Sequence, residues 1–531
     1  MTSNYAPPVA RLREWIGLGV MCLATLFIAA DSFVLMLALP HIAAGLNADG
    51  IDQLWIADIY GFVVGSLLIT MGGLGDRVGR RRLLLIGAAC FGVASLLSAY
   101  AGSPVALIVA RALLGVASAA MVTSTLGLIR TMFQEPKQMG VAFGLWASSY
   151  TIGAVMGLLV GGVLLADFWW GSAFLINVPA ALIVLILGPL VLPKHRGEVT
   201  GKPDWISSLL SLAAILPAVW GVKEASRDGW QLLPIAAILL GVLLGIAFIR
   251  RQRSLSTPLL DLSLFRNPKF TTPLLALFIQ ALLTGAVLLF VMLDFQLVEG
   301  LTPLQAGLAL APGLVLSSLC APVVGALARR IRPAYLIACG EALVIAGLVL
   351  VILAGSFSSP VLFITGFALW SAGGSPLLAV GMTLMVGSAP PEKAGAASSM
   401  PQVSAELGNS IGVAVIGSIG VALYNARMTD SLPSQVPPDV ADAASQSIAN
   451  AAQSAAGLPP DLARIVLDNA REAFTGSLQL ITGFTAFVLV GVVAMILVRL
   501  RRVRPLGSED QASEQQRPRA AAVSDENTVN Q

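Results

Sequence analysis

Charged side chains interrupt several long apolar stretches of this sequence. Asp31, Asp58 and Glu406 each lie among uncharged residues, and so does Arg111. A charge at the centre of a bilayer costs about 2.5–3.5 kcal/mol on insertion scales, so such residues are functional candidates. A carboxylate can bind a proton or an organic cation, and the two occupancies exclude each other. These residues could therefore exchange protons for cations.

The depth and neighbours of these residues suggest how such an exchange would work. Asp31, Asp58 and Arg111 are predicted in the outer half of their segments, and Glu406 near the middle of its own. Removal from water favours a protonated carboxyl, whereas a neighbouring arginine favours the ionised form. We therefore predict proton coupling through Asp31, Arg111 and Asp58. For Arg111, a structural tie between two spans is an equally good interpretation.

Two further carboxylates have weaker cases. Asp294 ends an apolar segment at its outer face and is interpreted as an interfacial residue. Glu341 is placed two apolar segments further along the chain, inside its segment, and is interpreted as a polar contact between helices. A functional role for either residue is left open.

The composition defines the class of protein. The chain has 531 residues, of which 56% are hydrophobic and 11% charged, and its mean hydropathy is +0.83. Soluble domains are about 45–50% apolar and about 25% charged, so an ordinary soluble enzyme, a nucleic-acid-binding protein and a disordered chain are excluded. The net charge of +3 indicates no acidic partner. All four cysteines lie in apolar segments as core residues, so neither a disulfide framework nor a metal site is predicted.

Fourteen stretches are long and apolar enough to cross a bilayer, which takes about 20 residues each. The chain is therefore predicted to be an all-α polytopic membrane protein. The predicted spans are 15–39, 53–73, 83–101, 104–124, 140–165, 172–192, 205–222, 232–249, 270–295, 305–327, 334–355, 359–386, 396–424 and 477–499.

The lysines and arginines of the loops predict the orientation. Loops after the even-numbered spans are rich in these residues, and those after odd-numbered spans have almost none. The exceptions are Lys223 and Arg227 after span seven and three arginines in 425–476. Because basic loops stay in the cytoplasm, both termini are predicted to be cytoplasmic, which agrees with an even number of spans.

A basic loop recurs along the chain. The stretch 74–83 follows span two and 327–336 follows span ten, and an offset of 253 residues carries spans 1–6 onto spans 9–14. Parallel six-span repeats are one way in which transporters form a site between two halves. The predicted architecture is two six-helix bundles in parallel repeat plus an inserted helix pair. Its parts are a cytoplasmic tail 1–14, a bundle 15–192, the inserted pair with linkers 193–269, a second bundle 270–499 and a disordered tail 500–531.

The segment 425–476, between spans thirteen and fourteen, is predicted to lie outside the membrane. Pro437-Pro438 and Pro459-Pro460 each precede an Ala-rich stretch. Proline suits the first turn of a helix, so two short helices are predicted here, capping the outer face.

Several motifs carry a family resemblance. The loop Gly72-Gly73-Leu74-Gly75-Asp76-Arg77-Val78-Gly79-Arg80-Arg81 resembles the loop that follows span two in the major facilitator superfamily. The run 107–115 resembles the family's L-x-x-x-R-x-x-x-G motif around Arg111. This resemblance implies that Gly72, Asp76, Arg77, Gly79, Arg80 and Arg81 form a latch between the two halves in the outward-open state.

Span five resembles the antiporter motif of proton-driven exporters through Gly153, Gly157, Gly161 and Gly162, although Leu158 stands where that motif usually has proline. The run from Ala30 to Pro40 looks like the first-span motif of the fourteen-span drug:proton antiporters. Within that family, Trp55-Ile56-x-Asp58-x-Tyr60 and Glu406-Leu407-Gly408 resemble exporters of quaternary ammonium antiseptics and cationic dyes.

Aromatic residues could contribute to a cation site. Trp146 and Tyr150 share a stripe of span five with the glycines, and an aromatic ring attracts a cation by about 0.5–2 kcal/mol. The alternative is that both side chains only fill space. The substrate-binding candidates are Glu406, Asp31, Asp58, Tyr60, Trp146 and Tyr150.

The sequence and the resemblance together predict a monomeric, proton-driven antiporter of a bacterial inner membrane. It would export lipophilic cations such as quaternary ammonium antiseptics and ethidium, with protons, cationic drugs and the bilayer as partners and no cofactor. A proton-coupled importer, or an exporter of another metabolite, is the alternative within transporters. A membrane enzyme is disfavoured because His41 and His195 lie in predicted loops, and a channel is disfavoured by the repeat.

Overall fold

The computed structural model describes residues 10–194, 204–255, 263–357, 359–388, 394–433 and 435–505. Fourteen helices in these ranges are long and apolar enough to span a membrane, which confirms the predicted count. They are α1 (Leu12–Leu46), α2 (Gly50–Val78), α3 (Arg80–Ala99), α4 (Pro104–Met132), α5 (Pro136–Asp167), α6 (Ser172–Leu175 and Asn177–Val191), α7 (Trp205–Asp228), α8 (Leu232–Ser254), α9 (Pro268–Leu293), α10 (Pro303–Ala328), α11 (Pro333–Phe357), α12 (Pro360–Gly387), α13 (Ala394–Ser431) and α14 (Pro460–Leu500).

The helices pack as two bundles with the same pattern of neighbours. In the first bundle α1 packs on α5 and α6, α4 on α2 and α3, and α3 on α6. In the second bundle α9 packs on α13 and α14, α12 on α10 and α11, and α11 on α14. Adding eight to each helix number converts the first pattern into the second, which confirms the parallel repeat of six. The inserted helices α7 and α8 pack on each other.

Glycines explain why one helix pair in each bundle packs so closely. A glycine has no Cβ, so a neighbouring backbone can approach it directly. On α5 and α13 two glycines, four residues apart, lie against successive turns of α1 and α9. The contacts are Gly153 with Leu26, Gly157 with Ala30, Gly408 with Phe278 and Gly412 with Leu282.

The interface between the bundles is closed at one side of the membrane. We name the sides by the charge prediction, so the basic loops are cytoplasmic. At the outer side Gly162 of α5 lies against Leu304 of α10, and Leu54 of α2 lies against Gly417 of α13. Nearer the cytoplasm, Gly144 of α5 and Gly325 of α10 have open space where a side chain would be. The bundles are thus in close contact at the outer side, with more space around these two glycines nearer the cytoplasm.

The segment between α13 and α14 differs in part from the prediction. One short helix does follow Pro437, at Pro438–Gln446, and a second lies at Ile448–Ala455. The helix predicted after Pro459 is not separate, because Pro460 begins α14 and that helix continues through the span. The predicted disordered tail lies outside the described residues from 506 onward.

Candidate transport site

A buried ion pair lies inside the first bundle. The Nη1 atom of Arg111 on α4 is 2.5 Å from the Oδ2 atom of Asp31 on α1, and both side chains are 1% exposed. The side-chain amide of Asn177 on α6 donates to the other oxygen of Asp31 at 2.7 Å. The structure thus brings Asp31 and Arg111, which have similar predicted depths, into contact within the first bundle.

Tyr60 and Ser95 extend this polar cluster to α2 and α3. The ring centroid of Tyr60 is 4.7 Å from the guanidinium carbon of Arg111, a cation–π contact. Asn177 also donates to the hydroxyl of Ser95 at 3.2 Å. The cluster joins five of the six helices, so a change in its charge would act on the whole bundle. Sequence reasoning missed Asn177 and Ser95, since uncharged polar residues are ordinary in membrane helices.

Glu406 of α13 lies between the two bundles. It is half-buried, and its Oε1 atom accepts a hydrogen bond from the amide of Gln402 at 2.9 Å. It interacts electrostatically with Tyr60 and Tyr150, which both belong to the first bundle. Among the described residues no lysine or arginine forms a salt bridge with Glu406. This carboxylate is thus available for an external cation.

The two aromatic candidates of α5 have different surroundings. Tyr150 is 38% exposed and interacts electrostatically with Glu406 of the second bundle. Trp146 is partly buried, and its indole nitrogen donates to the hydroxyl of Thr125 on α4 at 3.2 Å. Tyr150 therefore lies within electrostatic reach of Glu406, whereas Trp146 is held against its own bundle. A substrate contact by either residue stays a prediction.

Asp58 has a partner that the sequence analysis missed. Its Oδ2 atom is 2.8 Å from the Nζ atom of Lys223, and both side chains are fully buried. The same ammonium lies 3.7 Å from the ring centroid of Trp55. The prediction that Lys223 lies in a loop after span seven is wrong, because α7 continues to Asp228. From sequence alone, a lysine near the end of an apolar run is assigned to a loop unless its buried partner is known.

The other two carboxylates are inside the second bundle. Asp294 is 1% exposed and begins a π-helical turn, Asp294–Val298, with Thr475 3.5 Å away. It is therefore buried, and the expectation of an interfacial residue is wrong. Glu341 of α11 accepts a hydrogen bond from Gln280 of α9 at 3.1 Å. This hydrogen bond joins α11 to α9, in agreement with the interpretation of Glu341 as a polar contact between helices.

The basic loop between α2 and α3 has a defined geometry. Gly79 has a φ of 100°, which disfavours any residue with a side chain, and it ends α2 and precedes α3. The Nε atom of Arg80 is 2.7 Å from Asp76. Arg81 donates to the carbonyl of Leu192 at 3.2 Å. These contacts remain within the first bundle. The role of this loop as a latch in the outward-open state stays a prediction.

Asp76→Asn is expected to slow turnover by about tenfold while leaving dye affinity unchanged. Asp76 lies at the cytoplasmic end of α2, away from Glu406, so its charge acts on cycling and not on binding. The measurement is dye affinity of the purified protein beside its transport rate. A tenfold loss of affinity with normal cycling would refute the latch.

The glycine seam of α5 connects the pair of helices that carries Asp31. Gly161 lies against Val34 of α1. Leu158, the departure from the family motif, is buried and contacts Gly307 of α10 at the closed outer interface. The seam therefore serves two contacts, one within the bundle and one between the bundles.

Gly157→Ala is expected to destabilise the protein by about 1–3 kcal/mol and to reduce transport, since overpacking forces the backbones apart. An added Cβ at this position would lie 2.6 Å from the carbonyl oxygen of Ala30, next to Asp31. Gly144→Ala is the matched control on the same helix, because that position is open. Thermal unfolding of both variants measures the difference. Equal melting temperatures would contradict the close-contact explanation.

Solved transporter structures share this fold. A bacterial homologue of the human lysosomal transporter Spinster, in an inward-facing and unoccupied conformation, superposes with a TM-score of 0.62 at 14% identity, covering 92% of this chain and 99% of that one. A peptide transporter, POT, in complex with sulfate gives 0.58 at 15% identity, covering 91% and 95%. At these identities the likeness shows the fold alone.

Relatives at higher identity are also found. The chain is 39% identical over 490 residues to the multidrug efflux pump LfrA of Mycolicibacterium smegmatis, covering 92% of this chain and 97% of LfrA. It is 35% identical to the methyl viologen resistance protein SmvA of Salmonella typhimurium, covering 88% and 94%. It is 29% identical to the tetracenomycin C resistance and export protein of Streptomyces glaucescens, covering 92% and 90%.

The model of the Major Facilitator Superfamily matches residues 21–413, which is most of the chain. The match begins within α1, includes α2–α12 and the cluster of Asp31 and Arg111, and ends in α13 beyond Glu406. The predicted family is thus confirmed. From its fourteen spans, its repeated bundles and this match, the chain is a multi-pass transporter, not an enzyme, and it belongs to the major facilitator superfamily.

Proposed function

We propose that this chain is a proton-driven multidrug efflux antiporter that exports lipophilic organic cations by alternating access. It would act in a bacterial cytoplasmic membrane with both termini in the cytoplasm. Two relatives bear names that describe multidrug efflux and methyl viologen resistance, which supports export of drugs. The basic loops support the orientation.

The single observation that carries the proposal is the setting of Glu406. Its carboxylate has no cationic partner in the described part of the chain, and it interacts with tyrosines of the opposite bundle. A lipophilic cation entering from the cytoplasm would find a carboxylate and aromatic groups at the interface between the bundles. This combination favours organic cations through charge and cation–π attraction.

The buried pairs would have a different role from Glu406. Asp31 forms an ion pair with Arg111, and Asp58 forms one with Lys223, so each of these carboxylates is already paired with a cation. We propose that they respond to protons, whereas Glu406 takes the drug. The membrane potential would contribute about 2.3 kcal/mol per 100 mV for each net charge moved inward.

Export of another class of metabolite is the second candidate. The relative from Streptomyces glaucescens is named for tetracenomycin C, and a further relative at 29% identity is named as a probable actinorhodin transporter. The carboxylate of Glu406, which has no cationic partner among the described residues, favours cations, so a comparison of cationic with uncharged substrates would separate the two candidates.

The test is ethidium efflux from energised membrane vesicles, with and without a protonophore. The proposal expects efflux that stops when the protonophore is added. Efflux that persists without a proton gradient would refute proton coupling. Transport of uncharged aromatic compounds alone would favour the second candidate.

A further inference from the structure

The inserted helix pair supplies a positive charge to the first bundle. Lys223 lies on α7, and Asp58 and Trp55 lie one turn apart on α2. The ammonium of Lys223 is held by the carboxylate at 2.8 Å and by the indole face at 3.7 Å. A fully buried ion pair costs more in desolvation than most surface contacts, so it marks a position where charge matters.

The helix α7 also covers the outer seam between the bundles. It contacts both α2 and α13, which themselves pack on each other. Val219 of α7 belongs to an apolar cluster with Phe62 of α2 and Ala414 of α13. The outer halves of α2 and α13 must separate in any outward-open state. One helix that touches both of them must then lose its contact with at least one.

Few charged groups lie near the Asp58–Lys223 pair. Asp52 of α2 interacts with Lys223 from the outer side. The facing surface of α13 presents Ile411 and Ala414, which do not titrate. Arg111 of α4 is directed at Tyr60 on another face of α2, and Glu406 of α13 lies about one turn deeper. Glu224, beside Lys223 on α7, has a partner of its own.

We propose that Lys223 is a positioning residue for proton coupling, and that the inserted helix pair is thereby part of the coupling machinery. While Asp58 is ionised, the pair holds α7 across the closed outer seam. When the outer seam opens transiently, a proton from the outer solution neutralises the Asp58 carboxylate, the attraction to Lys223 is lost, and the open seam is stabilised. This inference rests on the proposed antiport.

The charges balance without another reactant. Lys223 keeps its own proton and its charge throughout. It lies five residues before the outer end of α7, about 7.5 Å along the axis, so its long side chain can reach the outer interface once released. When the outer seam closes and the inner side opens, Lys223 returns to Asp58 and the carboxyl releases its proton toward the cytoplasm.

The test measures the outer seam directly as a function of pH. Spin labels are attached to cysteines introduced at Gly102, in the outer loop of the first bundle, and at Thr429, near the outer end of α13, both of which are exposed. The four native cysteines are replaced first. The distance between the labels is then recorded from pH 8 to pH 5, without substrate, in the full-length protein.

The expected result is a longer distance at low pH in the wild type and in Lys223→Arg, which keeps the charge. Lys223→Met keeps the apolar stem but leaves Asp58 without a cation in a dry site, which favours the neutral acid. This variant should therefore lose the part of the pH response that depends on the pair, so its distance should change less between pH 8 and pH 5 than that of the wild type. An Asp58→Asn/Lys223→Met double variant should behave in the same way. Because it contains no unpaired buried charge, it can be used if the single variant fails to fold.

A pH response in Lys223→Met equal to that of the wild type would overturn the inference, and so would loss of the response in Lys223→Arg. A distance between the labels that does not change with pH in the wild type would also overturn it. Ethidium transport is measured separately. Absence of ethidium transport in a wild type whose seam responds to pH would refute the proposed substrate class and leave the role of Lys223 supported.

Discussion

Asp31→Asn is expected to abolish export of monovalent and divalent cations alike, by at least about 100-fold. Asparagine keeps the volume of the side chain but removes the charge opposite Arg111, which is 1% exposed. Breaking a buried ion pair costs roughly 3–5 kcal/mol because an uncompensated charge remains. Since the cluster joins five helices, the loss should act on cycling of the whole bundle and not on one class of substrate.

Transport of both kinds of cation in proteoliposomes, at matched protein content, measures this effect. Asp461→Asn, the same change at an exposed position of α14, is the control and should transport normally. Pairing Asp31→Asn with Arg111→Gln should restore folding stability without restoring export, because neither charge then remains. Full transport by Asp31→Asn would remove Asp31 from the coupling machinery.

Glu406→Gln is expected to weaken binding of dicationic antiseptics by about tenfold, which is about 1.4 kcal/mol. The variant keeps the volume and hydrogen bonding of the side chain, so only the charge is lost. One close ion pair at an effective dielectric constant near 20 contributes at most about 4 kcal/mol, and hydration of the two charges reduces that figure. Monocations should lose less, and neutral compounds almost nothing.

The pH dependence of binding should follow the same charge. As the pH falls, the carboxylate of Glu406 takes up a proton and loses its attraction for cations, so dye affinity of the wild type should decrease. The variant should show no such decrease. Binding titrations from pH 5 to pH 8 measure both, with the exposed Glu472→Gln as control. Equal affinity in wild type and Glu406→Gln across this range would leave Glu406 a structural residue.

The fold could be predicted from the sequence because a bilayer imposes simple rules. Each span needs about 20 apolar residues, and a long uncharged run meets that need whatever its neighbours are. The fourteen spans and the repeat of six follow from such local patterns. The ends of helices were harder to predict, since apolarity stops at the membrane surface whereas the hydrogen bonds of α7 and α14 continue beyond it.

The candidate site was predicted only in part. Asp31, Arg111 and Glu406 were recognisable because an ionisable residue inside an apolar run is costly and therefore rare. The same reasoning gave no partner for Asp58, since Lys223 is 165 residues further along the chain (223 − 58) and near a helix end. Asn177 gave no signal at all, because its contribution depends on the carboxylate beside it.

The sequence by itself determined that this chain is a fourteen-span transporter with a few costly charges inside its membrane segments. Hydrophobicity is a property of each residue and adds up along the chain, so it can be read without a structure. Only the tertiary structure decided which charges neutralise each other. Ion pairing depends on distances of a few ångströms between helices far apart in sequence. This packing pairs Asp31 with Arg111 and Asp58 with Lys223, and it leaves Glu406, among the described residues, without a cationic partner at the interface between the bundles.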